Sequence, residues 1–257
     1  MTSIRNIIEA IEEAAPRSLQ EQWDNSGLLC GRADVPCSGV MVCLDVTPEV
    51  VAQAIESHCN LIISHHPLIF KGIKAVSDTT PQGLALIMAI KNDVAVYCAH
   101  TSLDNAPAPW GVSHEMASML GATVDSVISP TGTGVIATLP APTAAEQFID
   151  RVKETFTAPC VRHSALPSRP ISKVALGSGA CGFLIPDAIA AGAQAIVTSD
   201  VRYHDFLDFG KAILIVDLTH FDTEKITKAI FKRIISQKIS NFAPVICASE
   251  PNPIEFK

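Results

Sequence analysis

The stretch Leu61-Ile62-Ile63-Ser64-His65-His66-Pro67-Leu68 joins a short apolar run to two adjacent histidines. Three consecutive apolar residues favour a buried strand, and the proline ends it. In an open α/β sheet, binding sites lie beyond the carboxyl ends of the strands, which is where this strand delivers His65 and His66. Neutral imidazole is also the commonest side-chain metal ligand. The pair therefore indicates either a metal site or two ordinary loop histidines.

Strand and helix patterns alternate on both sides of this stretch. One helix is expected to begin at Thr47-Pro48-Glu49, where threonine caps the helix and proline occupies its first turn. A segment rich in Pro, Thr and Gly at 125–170 then introduces a second α/β unit. Strands are predicted near 40–45, 61–64, 94–99, 135–139, 174–176, 195–198 and 213–217. Short strands separated by helices predict an α/β fold with mostly parallel or mixed sheets.

Composition narrows the classes of function. The 257 residues are 48% hydrophobic and carry a net charge of −7. With no basic run, this charge argues against nonspecific binding to nucleic acid or to an anionic membrane. We find neither a signal peptide nor an apolar run of roughly 18 residues that would span a membrane. The eight cysteines contain no C-x-x-C pair. They are expected to be reduced core residues of a cytoplasmic protein.

A histidine and a glutamate open a helix predicted from His220 to about Lys238. His220 and Glu224 are four residues apart, so they share one face near the helix start. A histidine and a carboxylate on one face can bind a metal ion together. The alternative is an ordinary surface helix with an exposed glutamate.

A further carboxylate, Asp104, follows the strand that ends near Ala99. Strand ends converge at one edge of a sheet, so several candidate ligands are expected to meet: His65, His66, Asp104, His220 and Glu224. Five side chains exceed one tetrahedral zinc site. They suit two divalent ions roughly 3.5–4 Å apart. Mixed histidine and carboxylate ligands fit Zn, Fe, Mn, Co or Ni without separating them.

Several motifs occur in one order along the chain: Trp23-Asp24-Asn25-Ser26-Gly27-Leu28, His65-His66-Pro67-Leu68-Ile69-Phe70, Ala99-His100-Thr101-Ser102-Leu103-Asp104, Gly177-Ser178-Gly179 and Tyr203-His204-Asp205. This order resembles the dinuclear-metal family of GTP cyclohydrolase I type 2 homologues, also called NGG-one-interacting-factor-three-like proteins. The resemblance covers essentially the whole chain, in the short form without an inserted domain. One departure is Ser199, where the family usually has glycine before the aspartate.

The resemblance implies a set of properties for this chain. The five candidate ligands would bind two metal ions in a cleft between two α/β domains, and six subunits would form a ring. The substrate would be a small molecule, such as a purine nucleotide. We assign residues 1–124 and 220–257 to the first domain and residues 125–219 to the second.

Two further histidines are predicted to transfer protons during catalysis. His204 follows a strand end, with Asp200 or Asp205 available to orient it, and His100 lies in the loop that carries Asp104. A hydrogen-bonded loop histidine is the alternative for His204.

The loop Gly177-Ser178-Gly179-Ala180-Cys181-Gly182 matches the dinucleotide pattern G-x-G-x-x-G. The helix expected after it is short and contains Pro186, which favours a plain strand-to-helix turn. An anion-binding loop and a nicotinamide-dinucleotide site are the alternatives.

Together these features predict a metal-dependent hydrolase of the GTP cyclohydrolase type, in which the ions activate a water molecule. Two other classes remain open: a metal-dependent phosphoesterase and a non-catalytic metal-binding or scaffold protein. A dinucleotide-binding protein is a further alternative.

Overall fold

The computed structural model describes residues 2–240, 242–248 and 250–257. The chain divides into two compact units. Unit 1 comprises Met1–Ala106 and Thr227–Pro251, and unit 2 comprises Pro107–Ile226 and Asn252–Lys257.

Helices and strands alternate along most of the described chain. The helices are α1 (Ile4–Ala14), α2 (Pro48–Glu56), α3 (Pro81–Lys91), α4 (Thr101–Asp104), α5 (Val112–Met119), α6 (Ala145–Thr155), α7 (Ile185–Ala190), α8 (Tyr203–Phe209), α9 (His220–Glu224) and α10 (Thr227–Lys238). The strands are β1 (Gly27–Cys30), β2 (Val40–Cys43), β3 (Leu61–Ser64), β4 (Ala95–Cys98), β5 (Thr123–Val127), β6 (Val135–Thr143), β7 (Arg162–His163), β8 (Ile171–Leu176), β9 (Ala195–Ser199), β10 (Leu214–Leu218) and β11 (Val245–Ile246).

Unit 1 is built on a mixed sheet with strand order β1-β4-β3-β2-β11. The three central strands are parallel and buried along their whole length, which explains their continuous apolar sequences. Cys43 pairs with Ser64, and Ser64 pairs with Cys98. The three strands therefore end side by side at one edge of the sheet. Asp45, His65 and His100 lie just beyond this edge.

Unit 2 is built on a second mixed sheet with strand order β5-β6-β8-β9-β10-β7. Strands β8, β9 and β10 are parallel, and the other three pair antiparallel with their neighbours. Leu176 pairs with Val197, and Ser199 pairs with Leu218. At one edge of this sheet, β8 leads into residues 177–182, which we call the glycine loop. At the same edge, β9 leads into Asp200 and β10 leads into His220. The α/β fold with mixed sheets is thus confirmed.

The structure differs from the sequence-based expectation at the C-terminal helix. The segment 220–238 is two helices, α9 and α10, separated by a turn at Lys225 and Ile226. This break coincides with the boundary between the units, because α9 packs on β9 whereas α10 packs on α1. Residues 220–226 therefore belong to unit 2.

The segment 107–124 also belongs to unit 2, although we assigned it to the first domain from the sequence. Its helix α5 packs against β5 and β6 of that unit. Across the described residues, no helix has both the length and the apolar character needed to cross a membrane.

Candidate metal centre

The first candidate ligand, His65, follows β3 and is fully buried. Its Nδ1 lies 3.1 Å from the carbonyl oxygen of Ala99. A carbonyl oxygen can only accept, so Nδ1 carries the hydrogen and Nε2 carries the lone pair of the neutral ring. The Nε2 atom lies 3.8 Å from Oδ1 of Asp104, which ends α4. His65 therefore turns the ring nitrogen that carries its lone pair toward a carboxylate.

His66 is oriented by a carboxylate from the neighbouring strand. Its Nδ1 lies 2.9 Å from Oδ1 of Asp45, so Nε2 is the ring nitrogen that could bind a metal ion. The backbone of Asp45 is itself anchored, because its amide donates to Glu250 Oε1 at 2.5 Å. Glu250 also accepts a bond of 2.8 Å from the Lys228 ammonium.

His100 is held in the same way by Asp24, whose Oδ1 lies 2.8 Å from the histidine Nδ1. Burial alone would raise the pKa of Asp24. The hydrogen bonds from His100 and Thr101 outweigh that effect and hold the pKa of Asp24 well below its usual range. Asp24 is therefore an ionised acceptor behind the imidazole.

The rings of His65, His66 and His100 form one cluster within unit 1. Their centroids are 5.2–5.5 Å apart, and one ring nitrogen of each lies within 4.8 Å of the others. A group of three imidazoles beside a carboxylate is a donor set that suits a transition-metal ion. The structure thus brings together His65, His66 and Asp104, which we predicted as ligands, and adds His100 to them.

In unit 2, His220 and Glu224 stand at the two ends of α9. Thr219 caps the helix, and the His220 Nε2 lies 2.9 Å from Glu224 Oε2, as their four-residue spacing predicts. The Glu224 side chain is 4% exposed. Asp200 accepts a hydrogen bond of 2.6 Å from the His220 Nδ1. His220 and Glu224 therefore form a preorganised donor pair, and Asp200 fixes the orientation of the imidazole.

The glycine loop of unit 2 is folded around this donor pair. The Gly179 amide donates to Thr223 Oγ1 at 3.0 Å, and the Cys181 amide donates to Thr198 Oγ1 at 3.1 Å. These two amides are bonded within the unit, so they do not face an anion. The geometry favours the plain structural turn over the dinucleotide and anion-binding alternatives.

His204 lies on the exposed side of α8, with its ring 5.4 Å from the ring of Tyr203. Both carboxylates that were expected to orient His204 are bonded elsewhere. Asp205 pairs with Arg202 at 2.8 Å, and Asp200 pairs with His220.

Sequence reasoning missed two carboxylates that orient histidines, Asp24 and Asp45, and it paired a third, Asp200, with His204 instead of His220. Asp45 is the last residue of a predicted strand, so the rule that polar groups gather at strand ends would have found it. Asp24 lies in a loop 76 residues from His100, and no local pattern signals that contact.

The fold and these candidate ligands define a class of α/β protein in which histidines and carboxylates gather at the edges of two mixed sheets. The chain belongs to the Duf34/NIF3 (NGG1p interacting factor 3) family, whose model matches residues 2–253. This finding confirms the family resemblance seen in the sequence.

Individual relatives and solved structures agree with this assignment. A Clostridium acetobutylicum protein named GTP cyclohydrolase 1 type 2 homolog is 31% identical over 229 residues, which is 86% of this chain and 85% of that protein. A Clostridium perfringens protein of the same name is 28% identical over 98% of this chain and 99% of its own length. The crystal structure of a Staphylococcus aureus hypothetical protein is similar, with a TM-score of 0.92, 26% identity and 99% of each chain covered. A Bacillus cereus protein related to NIF3 has the same fold at a TM-score of 0.94 and 23% identity, with 100% of this chain and 99% of that chain covered.

Proposed function

We propose that this protein is a metal-dependent hydrolase with a centre of two divalent ions. The proposed ligands are His65, His66, Asp104, His220 and Glu224. One observation carries the proposal: the Nδ1 of each ligand histidine is bonded to an oxygen atom, that of Ala99, Asp45 or Asp200. Such bonds fix the tautomer and the orientation of metal-binding histidines, and they raise the basicity of the other nitrogen.

The donors fit borderline divalent ions. Imidazole nitrogen and carboxylate oxygen suit Zn, Fe, Mn, Co and Ni. When bound, two such ions supply a water of lowered pKa and a Lewis acid that polarises the substrate. Of the two histidines proposed for proton transfer, His204 lies exposed on α8. His100 is held at Nδ1 by Asp24, so its Nε2 is the nitrogen available for a proton or a metal.

The names of the relatives support one substrate class. Proteins similar over most of their length are named GTP cyclohydrolase 1 type 2 homolog. This name supports a purine nucleotide as substrate and hydrolytic opening of its ring, with release of formate.

Metal content tests the centre directly. We expect elemental mass spectrometry to find about two ions per chain in the wild type, as two-metal hydrolases hold. The variants His65→Ala and Glu224→Ala should lose metal, whereas His163→Ala, which removes an exposed histidine of β7, should not. A wild type that stays metal-free after incubation with Zn, Mn, Fe, Co and Ni would contradict the proposal.

A substrate screen with the metal-loaded protein tests the reaction. GTP, other nucleotides and phosphoesters would be incubated with the protein, and formate and phosphate would be measured separately. Formate release supports the cyclohydrolase, and phosphate release alone supports a phosphoesterase. A fully loaded protein without any turnover would instead be a metal-binding or scaffold protein.

We also propose that the subunits assemble as a homohexamer, as the family resemblance implies. Light scattering during gel filtration should give six times the mass of the chain. A monomer at micromolar concentration would contradict this part of the proposal.

A further inference from the structure

We propose that Trp23 and Phe70 form a surface on which the base of a nucleotide stacks, and that Lys71 and Lys74 bind its phosphate. The role of this surface rests on the proposed function, because it would hold the substrate of the hydrolase. Nucleotide binding can nevertheless be measured without any turnover.

Two large aromatic side chains of unit 1 are open to solvent. Trp23 is 60% exposed and Phe70 is 41% exposed. Their ring centroids lie 5.9 Å apart, and the ring planes are inclined at 54°. Exposed apolar side chains that contact each other are more informative than scattered ones, because such patches mark binding surfaces. With more than half of its surface exposed, the indole of Trp23 has an open face on which another ring can stack.

The two rings are held in place from below. The Asn25 side-chain amide donates to the Ile69 carbonyl oxygen at 2.5 Å, which ties the segment of Trp23 to the segment of Phe70. Both rings also meet the His100 ring nearly edge-on, Trp23 at a centroid distance of 6.0 Å and Phe70 at 6.1 Å. The aromatic surface is therefore preorganised, so little conformational entropy is lost when a planar ligand binds to it.

The aromatic rings favour a nucleobase as the ligand. Every nucleobase has a π face, and bases stack on aromatic side chains whatever their sequence. Trp23 and Phe70 contact each other, so a base would stack on the outer face of the pair and not between the two rings.

The charges that follow Phe70 favour a phosphorylated base. Lys71 and Lys74 are both exposed, and the segment 69–77 contains no acidic residue although the whole chain carries a net charge of −7. A lysine ammonium binds phosphate as a point charge. A nucleotide joins a planar base to an anion, and the segment 70–74 joins an aromatic ring to two cations.

A protein partner, including a second copy of this chain, is the other kind of occupant for exposed aromatic rings. Tryptophan and phenylalanine are enriched in protein interfaces, but lysine is depleted there. The two lysines next to Phe70 therefore favour the nucleotide.

Fluorescence tests the contact with Trp23. The chain has two tryptophans, Trp23 and Trp110, so Trp110→Phe leaves Trp23 as the single indole fluorophore. We expect guanosine monophosphate to quench this fluorescence saturably, because the base stacks on the indole. Guanosine should also quench it, whereas ribose phosphate, which has no base, should not. Fluorescence of the folded variant that neither guanosine nor guanosine monophosphate changes would overturn the proposal.

Titration calorimetry with guanosine monophosphate tests both rings in an otherwise unchanged chain. Trp23→Ala and Phe70→Ala should each weaken binding roughly 10–100-fold, as the loss of base stacking does. Ile90→Ala is the matched control, since Ile90 is also 60% exposed but lies near the end of α3, where the chain enters β4 rather than leaves it. Circular dichroism reports whether each variant is folded. Equal affinity in the wild type and in both aromatic variants would refute the stacking surface.

The lysines are tested by comparing two ligands. Lys71→Ala/Lys74→Ala should weaken the binding of guanosine monophosphate at least tenfold and leave the binding of guanosine unchanged. Lys91→Ala, a change at the end of α3, is the control and should affect neither ligand. If the double variant binds guanosine monophosphate as tightly as the wild type does, the lysines do not bind the phosphate.

The failure of the stacking surface and the failure of the hydrolase give different results. Nucleotide binding at Trp23 without any turnover would contradict only the hydrolase. Nucleotide turnover with an unchanged KM in Trp23→Ala and Phe70→Ala would contradict only the stacking surface. If Trp23→Ala lowers the mass of the assembly in light scattering and leaves nucleotide affinity unchanged, the aromatic rings lie between copies of the chain and the proposal is wrong.

Discussion

Gly179 packs directly against the carboxylate of Glu224. The glycine adopts a φ of +63°, in the left-handed region, and a β-carbon at this position would overlap Glu224 Oε1. The same β-carbon would lie 3.3 Å from Cε1 of His220. Any side chain at position 179 would occupy the space of His220 and Glu224. This explains why the second glycine of the G-x-G motif is a glycine.

Gly179→Ala should consequently displace the proposed ligand pair and lower the metal content of the protein. The matched control is Gly192→Ala, since Gly192 has a φ of +78° and no atom within 4 Å of an added β-carbon. Both variants carry the strain of a left-handed alanine, about 1–2 kcal/mol. Only in Gly179→Ala would the added β-carbon also overlap the Glu224 carboxylate. Elemental analysis should show metal loss in that variant alone, and equal metal content in both would refute the packing argument.

Asp200 should contribute to metal affinity although it is not a proposed ligand. Its carboxylate accepts from the His220 Nδ1 at 2.6 Å, and its own φ is +54°. Asparagine tolerates that backbone conformation, so Asp200→Asn removes the charge with little added strain. We expect roughly 10–100-fold weaker metal binding in titration calorimetry. Asp208→Asn, an exposed change on α8, is the control, and an equal effect of the two changes would contradict the specific role of Asp200.

The sequence predicted those parts of the site that depend on local order. The run from Leu61 to Ser64 and the four-residue spacing of His220 and Glu224 are both found as expected, because strand burial and helical periodicity are local properties. The contact between Asp24 and His100 depends instead on tertiary folding, which places the loop before β1 next to the residues that follow β4. The break between α9 and α10 was also missed, since it follows from packing in two different units rather than from a helix-breaking residue.

Glu250 anchors the backbone around Asp45, so we expect its substitution to lower the free energy of unfolding. The Glu250 carboxylate accepts the Leu44 and Asp45 amides and pairs with Lys228, and both charged side chains are largely buried. Glu250→Gln would leave the ammonium without this charged partner, and breaking such a pair typically costs about 3–5 kcal/mol. Urea denaturation should show that loss in the free energy of unfolding.

A double variant separates the ion pair from the backbone contacts of Glu250. In Glu250→Gln/Lys228→Met, the buried ammonium is removed together with the carboxylate. We expect this protein to regain part of the lost stability, because the ammonium that lost its ion pair with Glu250 is also removed. If the double variant is no more stable than the single one, the amide contacts of Glu250 rather than its charge account for the effect.

The ionisation of Asp217 should make folding stability depend on pH. Its side chain is 1% exposed and pairs with Arg162. Burial raises the pKa of Asp217 to about 6, even though Arg162 opposes the shift. The folded protein thus binds this proton more tightly than the unfolded chain does. The stabilisation from Asp217 is therefore fully present below pH about 4 and is lost as the pH rises through about 6.

Asp217→Asn should flatten this part of the pH profile. Each unit of difference between the folded and unfolded pKa contributes about 1.4 kcal/mol, so the slope of the free energy of unfolding between pH 4 and 7 should become less negative in the variant. Urea denaturation at several pH values, with a chelator present, measures the difference. Asp208→Asn provides the reference for an exposed aspartate. If the wild type and Asp217→Asn change in parallel across this range, the aspartate already releases its proton at its ordinary pKa in the folded protein.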